Sequence, residues 1–392
     1  MRIAYIAPYQ GPTLKKRRPI KSNLSLAGSV KIEVIAKILR AAGHEIEIFS
    51  QGEVVELAPK FYPAFAEPDR FHPDVPVNYS SAFPVRYING MWQGAGLRSL
   101  FVARHRSAPF DCVLIYNLKV PQIMCAEHAA EKLRLPVVFE YEDDAFLDID
   151  GRPAAGLRPG YIRRAKSILA SVSGGFACSP HLLAQLPANR PRMMVRGAVG
   201  DEILRASGKP DSAKKDWVLF SGTLSHTKGV APLIQAWSQA QLRGWELHIA
   251  GDGPEAAALK KMANDRANIV FYGTVRGREL AELTSLAKIC INPHDLSERP
   301  GNVFAFKIIE YLAAGSHVIS TPMGQVEEEI AAGITFMPDN TPGTIARTLR
   351  EVIQTNAWRN TAARAVQGIY HPQVLGAALD KLLRDATRLP GV

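Results

Sequence analysis

Residues Gly301-Asn302-Val303-Phe304-Ala305-Phe306-Lys307-Ile308-Ile309-Glu310-Tyr311-Leu312-Ala313-Ala314-Gly315, followed by Ser316-His317-Val318-Ile319-Ser320, read as a capped helix running into a strand. Asn302 suits an N-cap and Gly315 the position just past a helix end, so the spacing predicts a helix over 303–314. Nearly every residue between those caps is apolar, as in a helix buried on all sides. Lys307 and Glu310 are the exceptions. Three residues apart, they suit a solvated surface pair, yet this helix leaves little room for a solvated face. Glu310 therefore needs a partner, and a bound ligand is one candidate.

Working back from this segment, residues 217–300 alternate strands and helices. Trp217-Val218-Leu219-Phe220 reads as a strand, Ser221-Gly222-Thr223-Leu224 as a loop, and Lys228-Gly229 as the opening of a helix through Ala240. Small residues let a phosphate approach the backbone, a helix N-terminus offers unpaired amides, and Lys228 adds a point charge; a plain turn before a helix is the competing reading. Glu246 to Ala250 is a strand, and Gly251-Asp252-Gly253-Pro254-Glu255-Ala256 has the spacing of a dinucleotide loop. The next strand, Ile269 to Tyr272, ends in Gly273 without the ribose-binding acid of that fingerprint, which disfavours a dehydrogenase. A helix over Glu279–Ala287, the strand Ile289 to Asn292 and the loop His294 to Pro300 lead to Gly301.

The amino-terminal half shows the same alternation. Ile3 to Ala7 is an apolar strand, Ser29 to Ala42 has helical spacing, and Glu45 to Phe49 is a second strand, making a βαβ unit with a parallel sheet. The intervening loop carries Lys15, Lys16, Arg17, Arg18 and Lys21 at the carboxyl end of a strand, where open α/β sheets bind ligands. It reads either as a solvated loop or as a basic lip for a phosphate-bearing or lipid-linked acceptor. Residues 58–95 show no clear periodicity and read as an irregular excursion. Regularity returns with the strand Cys112 to Tyr116, a helix to Leu133 and the strand Val137 to Tyr141. Glu142, Asp143 and Asp144 follow directly. They are candidates for catalysis or acceptor orientation and, less readily, for Mg²⁺; pairing with Arg163, Arg164 or Lys166 is the plain alternative.

Composition narrows the classes. The chain of 392 residues, 47% hydrophobic and 21% charged, suits a two-domain globular protein. Its four cysteines, Cys112, Cys125, Cys178 and Cys290, lack metal or redox spacing and read as buried thiols. The sequence opens directly on a strand without a signal-peptide pattern, and no apolar run approaches the ~20 residues of a membrane span. A cytoplasmic location is expected. The net charge of +10 favours acidic partners such as nucleotide diphosphates or phospholipid surfaces. Nucleic acid is disfavoured because the basic residues are dispersed and lack interleaved aromatic platforms.

In order and spacing, Gly222-Thr223-Leu224 with Lys228-Gly229, Gly251 to Pro254, Ile269 to Gly273, Glu310-Tyr311-Leu312-Ala313-Ala314-Gly315, and Gly324 with Glu329 resemble the nucleotide-sugar domain of family 4 glycosyltransferases. The resemblance covers about 217–335; the amino-terminal half matches more loosely, through Ala27-Gly28-Ser29 and Gly43-His44. It implies an α/β GT-B fold: two facing Rossmann-like domains with a deep interdomain cleft, divided as 1–205 for the acceptor, 206–370 for the nucleotide sugar, and 371–392 as a helix returning to the first domain. The implied activity is retaining sugar transfer from a UDP- or GDP-sugar to a glycan or lipid-linked acceptor, in envelope or exopolysaccharide synthesis, with possible peripheral membrane contact at the inner face. No cofactor or metal is expected. A GT-B sugar-nucleotide epimerase and a non-catalytic nucleotide-sugar-binding subunit are the alternatives.

Residue by residue, the resemblance implies that Glu310 meets the donor ribose, Lys228 the diphosphate, and Gly273 with Thr274 the base. Gly222, Thr223 and Gly251 complete the donor loops. Asn302, Val303 and Phe304 would aim helix amides, carrying roughly half a positive charge, at the diphosphate or sugar. Glu142, Asp143 and Lys228 are the catalytic candidates, and Lys16, Arg17, Gly28 and Ser29 the acceptor candidates. Three positions depart from the family pattern. Asn302 stands where a paired glutamate is usual, Thr223 where an arginine often lies, and Glu142 at about the place of a histidine.

Overall fold

The computed structural model describes residues 1–18, 26–54, 60–68, 75–85, 88–147, 153, 157–264, 266–296, 305–322, 326, 328–359 and 362–388. The chain divides into two units, one of Met1–Asp148, Arg152–Gly197 and Gln373–Val392, the other of Ile149–Gly151 and Ala198–Pro372.

The first unit is built on an eight-stranded sheet. Its strands are β1 (Arg2–Ile6), β2 (Glu45–Ser50), β3 (Phe65–Pro68), β4 (Pro76–Tyr79), β5 (Cys112–Tyr116), β6 (Val137–Tyr141), β7 (Gly174–Ala177) and β8 (Arg192–Met194). The spatial order is β3-β4-β2-β1-β5-β6-β7-β8. Every pairing is parallel except β3 with β4. Strands covered by helices on both faces must be apolar nearly throughout, and Ile3, Ala4, Tyr5 and Ile6, like Cys112 to Ile115, are wholly buried. The helix Pro372–Arg388 packs on this unit: a Cβ at Gly376 would lie 3.3 Å from Ile38, and His44 Nε2 lies 3.0 Å from Asp380.

The second unit has six parallel strands, β9 (Lys215–Ser221), β10 (Glu246–Ala250), β11 (Ile269–Gly273), β12 (Ala287–Asn292), β13 (His317–Ser320) and β14 (Ile334–Phe336). Their order, β11-β10-β9-β12-β13-β14, is the doubly wound order of a Rossmann fold. It reverses between β9 and β12. In such sheets the crevice outside the carboxyl ends of the strands at the reversal is where ligands bind.

Several local expectations change. Residues 58–95 are not wholly irregular: β3, β4 and the start of a helix over Asn89–Ser107 lie there. That helix escapes periodicity because Gln93 and Gly94 share its buried face with Leu97 and Phe101. The helix predicted from 303 begins at Lys307, with Phe306 and not Asn302 at its N-cap, and its first turn is tightened by bonds from Ile308 N to Ala305 O and Ile309 N to Phe306 O, both 2.9 Å. Its other end matches the reading. Gly315 has φ +86°, Gly315 N bonds Leu312 O at 2.9 Å, and Ser316 N bonds Tyr311 O at 3.0 Å, the paired bonds of a Schellman cap. Of the cysteines, Cys178 is only partly buried.

Candidate functional site

The loops that leave β9, β10 and β11 are stitched together by their backbones. Gly222 N bonds Ala250 O at 2.9 Å, Leu224 N bonds Asp252 O at 3.0 Å, and Gly251 N bonds Gly273 O at 2.7 Å. Gly251 has φ +155°, and a Cβ there would fall 1.8 Å from Gly222 O. The glycine at 251 is therefore demanded by the packing of one loop on the next. Beyond Gly222 the chain makes a single turn at His226–Lys228, reverses through Gly229 at φ +69°, and enters the helix Val230–Ala240. The result is a rigid rim with Gly222 and Thr223 at its exposed crest and Lys228 partly exposed beside it.

Helix Lys307–Ala313 is tied to the same rim. Tyr311, buried among Leu219, Cys290 and Ile308, places its hydroxyl 2.8 Å from both Ser221 N and Ser221 Oγ. Lys307, one turn earlier on that helix, donates to Ser221 O at 3.3 Å and lies 4.3 Å above the Phe220 ring. Its amine would be 3.8 Å from a Cβ built on Gly222. Burial, with the neighbouring charge of Lys228 second, pulls the Lys307 amine down to about 7. Burial also pushes the Glu310 carboxyl up to about 7. Glu310 keeps some exposed surface, and among the described residues its carboxylate has no hydrogen-bond or ion-pair partner. The two charged residues thus answer to different surroundings and not to each other.

The other donor candidates are distributed around this rim. Gly273 ends β11 at φ +68° with open space where a Cβ would stand, and Thr274 beside it is exposed. Asn302, Val303, Phe304 and Gly324 lie outside the described residues, as does the side chain of Glu329. Two hollows of about 330 and 700 Å³, the first lined by Lys215 and Glu246 and the second by Trp237 and Arg266, carry none of these groups and open near the amino ends of β9 and β10.

In the first unit the three acids are held separately. Asn117, at φ +54° just past β5, accepts from Glu142 N at 2.8 Å and Asp143 N at 3.0 Å and donates to Asp143 Oδ2 at 2.9 Å. Glu142 lies 3.1 Å from Lys31 Nζ, which also donates to Val195 O at 3.0 Å. Asp144 meets His181 Nε2 at 2.9 Å and Gln185 Nε2 at 2.7 Å. Two of the basic residues expected to pair with these acids are engaged elsewhere: Arg164 binds Glu127, and Lys166 lies over Phe146. Among the described residues no group of three or more His, Cys, Asp or Glu is gathered to hold a metal. Asp143 stays exposed at the strand ends.

One member of the basic lip is structural. Arg18 is 1% exposed and donates to Gly52 O at 2.7 Å, Pro63 O at 2.9 Å and Ser80 O at 2.6 Å. Burial lowers it to about 10. Lys16 and Arg17 are exposed, with Arg17 4.5 Å above the Phe65 ring; Lys21 and the side chain of Lys15 lie outside the described residues. Gly28 and Ser29 sit in the first turn of the helix Leu26–Ala41.

Sequence reasoning quotes Lys307 without giving it a role, and it misses Asn117, Lys31 and the Tyr5–Glu140 pair. Glu140 is wholly buried, bonded to the Tyr5 hydroxyl, and pushed up to about 8 by burial and then by the charge of Glu142. A polar residue inside an otherwise apolar strand was the available signal for Glu140, and an asparagine at a strand end the signal for Asn117.

Known proteins bear on these observations. Residues 215–355 match the family of glycosyl transferases group 1. A GDP-mannose-dependent alpha-mannosyltransferase of Corynebacterium glutamicum is 32% identical over 131 residues, 33% of this chain and 29% of that one. The chain spans about a third of the length of the curated relatives it matches. Across 98% of the chain, the fold is shared with sucrose-phosphate synthase from Thermosynechococcus elongatus, at 17% identity, TM-score 0.70 and 98% of that chain. It is likewise shared with Anabaena HepE in complex with UDP, at 15% identity, TM-score 0.67 and 100% of that chain. The class these matches define is the GT-B fold, with a glycosyl transferases group 1 domain in its second unit.

Proposed function

We propose that the protein is a retaining glycosyltransferase of family 4 that moves a sugar from a UDP- or GDP-sugar to a glycan or lipid-linked acceptor in envelope or exopolysaccharide synthesis. The observation that carries this reading is the group at the β9–β12 reversal: Gly222, Lys228 and Lys307 around one rim, with Glu310, whose carboxylate has no partner among the described residues, on the same helix as Lys307. A nucleotide sugar presents a diphosphate to amines and amides and ribose hydroxyls to a carboxylate. The HepE protein binds UDP, and the mannosyltransferase is GDP-mannose-dependent, so both bases are reasonable probes.

In sugar transfer the leaving diphosphate gains charge as the glycosidic bond breaks. Fixed amines placed where that charge develops stabilise the transition state without reorganising, which is the role given to Lys228. This supply of positive charge supports transfer without a metal. Gly222, Thr223 and Gly251 shape the phosphate rim, while Gly273 and Thr274 leave room for the base. Acceptor binding is assigned to the first unit, with Glu142 and Asp143 at the strand ends orienting the attacking hydroxyl and Lys16, Arg17, Gly28 and Ser29 receiving the rest. Lys16 and Arg17 suit an anionic lipid-linked acceptor at the cytoplasmic membrane face. Among the described residues no helix is long and apolar enough to cross a membrane.

The test is incubation with UDP-glucose, UDP-N-acetylglucosamine and GDP-mannose, with a lipid-linked glycan extract as acceptor, followed by NMR of the products. Transfer with the donor's anomeric configuration kept is expected. Inverted product, or a donor isomerised without transfer, would contradict the proposal; the second outcome is that of an epimerase.

A further inference from the structure

Lys307 is held in an unusual way for a lysine. Its stem lies over Phe220, its amine reaches the carbonyl of Ser221, and a second amine, Lys228, is close enough to lower its affinity for a proton. The groups that face it are the Ser221 carbonyl and Phe220 ring from β9, Lys228 from the following loop, and the Cys290 thiol from β12; Glu310 shares its own helix. Among the described residues it has no carboxylate partner. An amine held beside a second one and largely removed from water binds its proton less tightly, a cost that an anion lodged against Lys307 would offset. The space beside the amine is bounded by Gly222, where no side chain blocks the approach.

We propose that Lys307 is a donor-binding residue that contacts the diphosphate of the nucleotide sugar beside Gly222 and Lys228. The inference rests on the proposed nucleotide-sugar reading of this rim. Its further content is that Lys307 is partly neutral in the empty protein and takes up a proton when the diphosphate arrives. The opposite charge of the ligand favours the ammonium form, reversing the effect of burial and of Lys228. At pH 8 the diphosphate is itself fully ionised and Glu310 largely so, leaving Lys307 as the group at this rim that gains a proton.

The experiment is calorimetric titration of the full chain with UDP, uridine, GDP and guanosine at pH 8, each in two buffers of different ionisation enthalpy. Wild type is expected to bind at least one diphosphate with net proton uptake, and its nucleoside with none. Lys307→Met is expected to weaken that diphosphate roughly tenfold or more while leaving the nucleoside within about twofold. Lys307→Arg, charged at all relevant pH, is expected to keep diphosphate affinity and abolish the uptake. If Lys307→Met fails to fold, wild type and Lys307→Arg decide by their proton uptake alone. Unchanged UDP and GDP affinity in Lys307→Met, or equal uptake in wild type and Lys307→Arg, would overturn the assignment of Lys307 while leaving the nucleotide site standing. Binding of neither diphosphate by wild type would overturn the nucleotide reading, and this inference with it.

Discussion

The hydroxyl of Tyr311 lies 2.8 Å from the backbone nitrogen of Ser221, 90 residues earlier in the chain. That contact fixes helix Lys307–Ala313 to the end of β9, at the strand-order reversal of the second unit. Lys307 stands one turn before Tyr311, and Glu310 immediately before it. The buried bonds between Tyr311 and Ser221 therefore help set where an amine and a carboxyl stand beside the Gly222 rim.

Tyr311→Phe keeps the ring and removes the bond. Ser221 N then loses its acceptor in a buried place, at a cost of about 1–3 kcal/mol. A melting temperature several degrees below wild type is expected by calorimetry, together with weaker nucleotide binding because Lys307 loses its register. A variant with wild-type melting and affinity would show that this bond does not position the helix.

Glu310→Gln separates binding from stability. If Glu310 meets the ribose, the variant should lose about 1.5–3 kcal/mol of nucleotide affinity, measured by titration at pH 8 where the wild-type carboxylate is ionised. Its effect on stability has the opposite sign. A carboxyl raised above its unfolded value holds a proton in the native state, so folding weakens as pH rises toward about 7; glutamine removes that penalty. The variant should melt no lower than wild type at pH 8, and equal nucleotide affinity would remove Glu310 from the site.

The first unit carries a second pH-sensitive carboxyl. Glu140, bonded to Tyr5 and held at about 8, keeps its proton where the unfolded chain has lost it. Between roughly pH 4.5 and 8 the native state binds more protons than the unfolded state, so stability should fall with rising pH by up to about 1.4 kcal/mol per pH unit from this group. Glu140→Gln can still accept from Tyr5 and should flatten that slope in denaturant titrations across the window. An unchanged slope would mean that another group carries it.

Arg18 and its neighbours should behave in opposite ways. Arg18→Met strands three carbonyls, of Gly52, Pro63 and Ser80, and should cost about 2–4 kcal/mol of stability. Replacing exposed Lys16 and Arg17 by glutamine should leave the melting temperature within about a degree. It should weaken sedimentation with vesicles containing anionic lipid, and undiminished binding would dismiss the basic lip as a membrane or acceptor contact.

These contrasts show why the fold was easier to read than the site. Apolar runs such as Cys112–Tyr116 announce buried parallel strands by composition alone, and Gly315 announces a helix end by its backbone. The helix Asn89–Ser107 was obscured because buried Gln93 is satisfied by Gln51 O at 3.1 Å, a partner in the loop after β2. Arg18 looked like its basic neighbours because charge in a sequence does not disclose whether three distant carbonyls await it. Lys307 was visible from the start, but its meaning depends on Ser221 O, 86 residues away, and on Gly222 beside it. Local pattern sets the elements; the role of a charged side chain is set by what the fold brings to it.

On the proposed reading, the rim around Gly222, Lys228, Lys307 and Glu310 binds the nucleotide part of a sugar donor. Thermal unfolding of the full chain with UDP, GDP and ADP at millimolar concentration decides whether it does. A ligand present at about 100 times its dissociation constant should stabilise the protein by roughly 2.7 kcal/mol, and a rise of several degrees with at least one of these nucleotides is expected. An unchanged melting temperature with all three would show that this rim is not a nucleotide site.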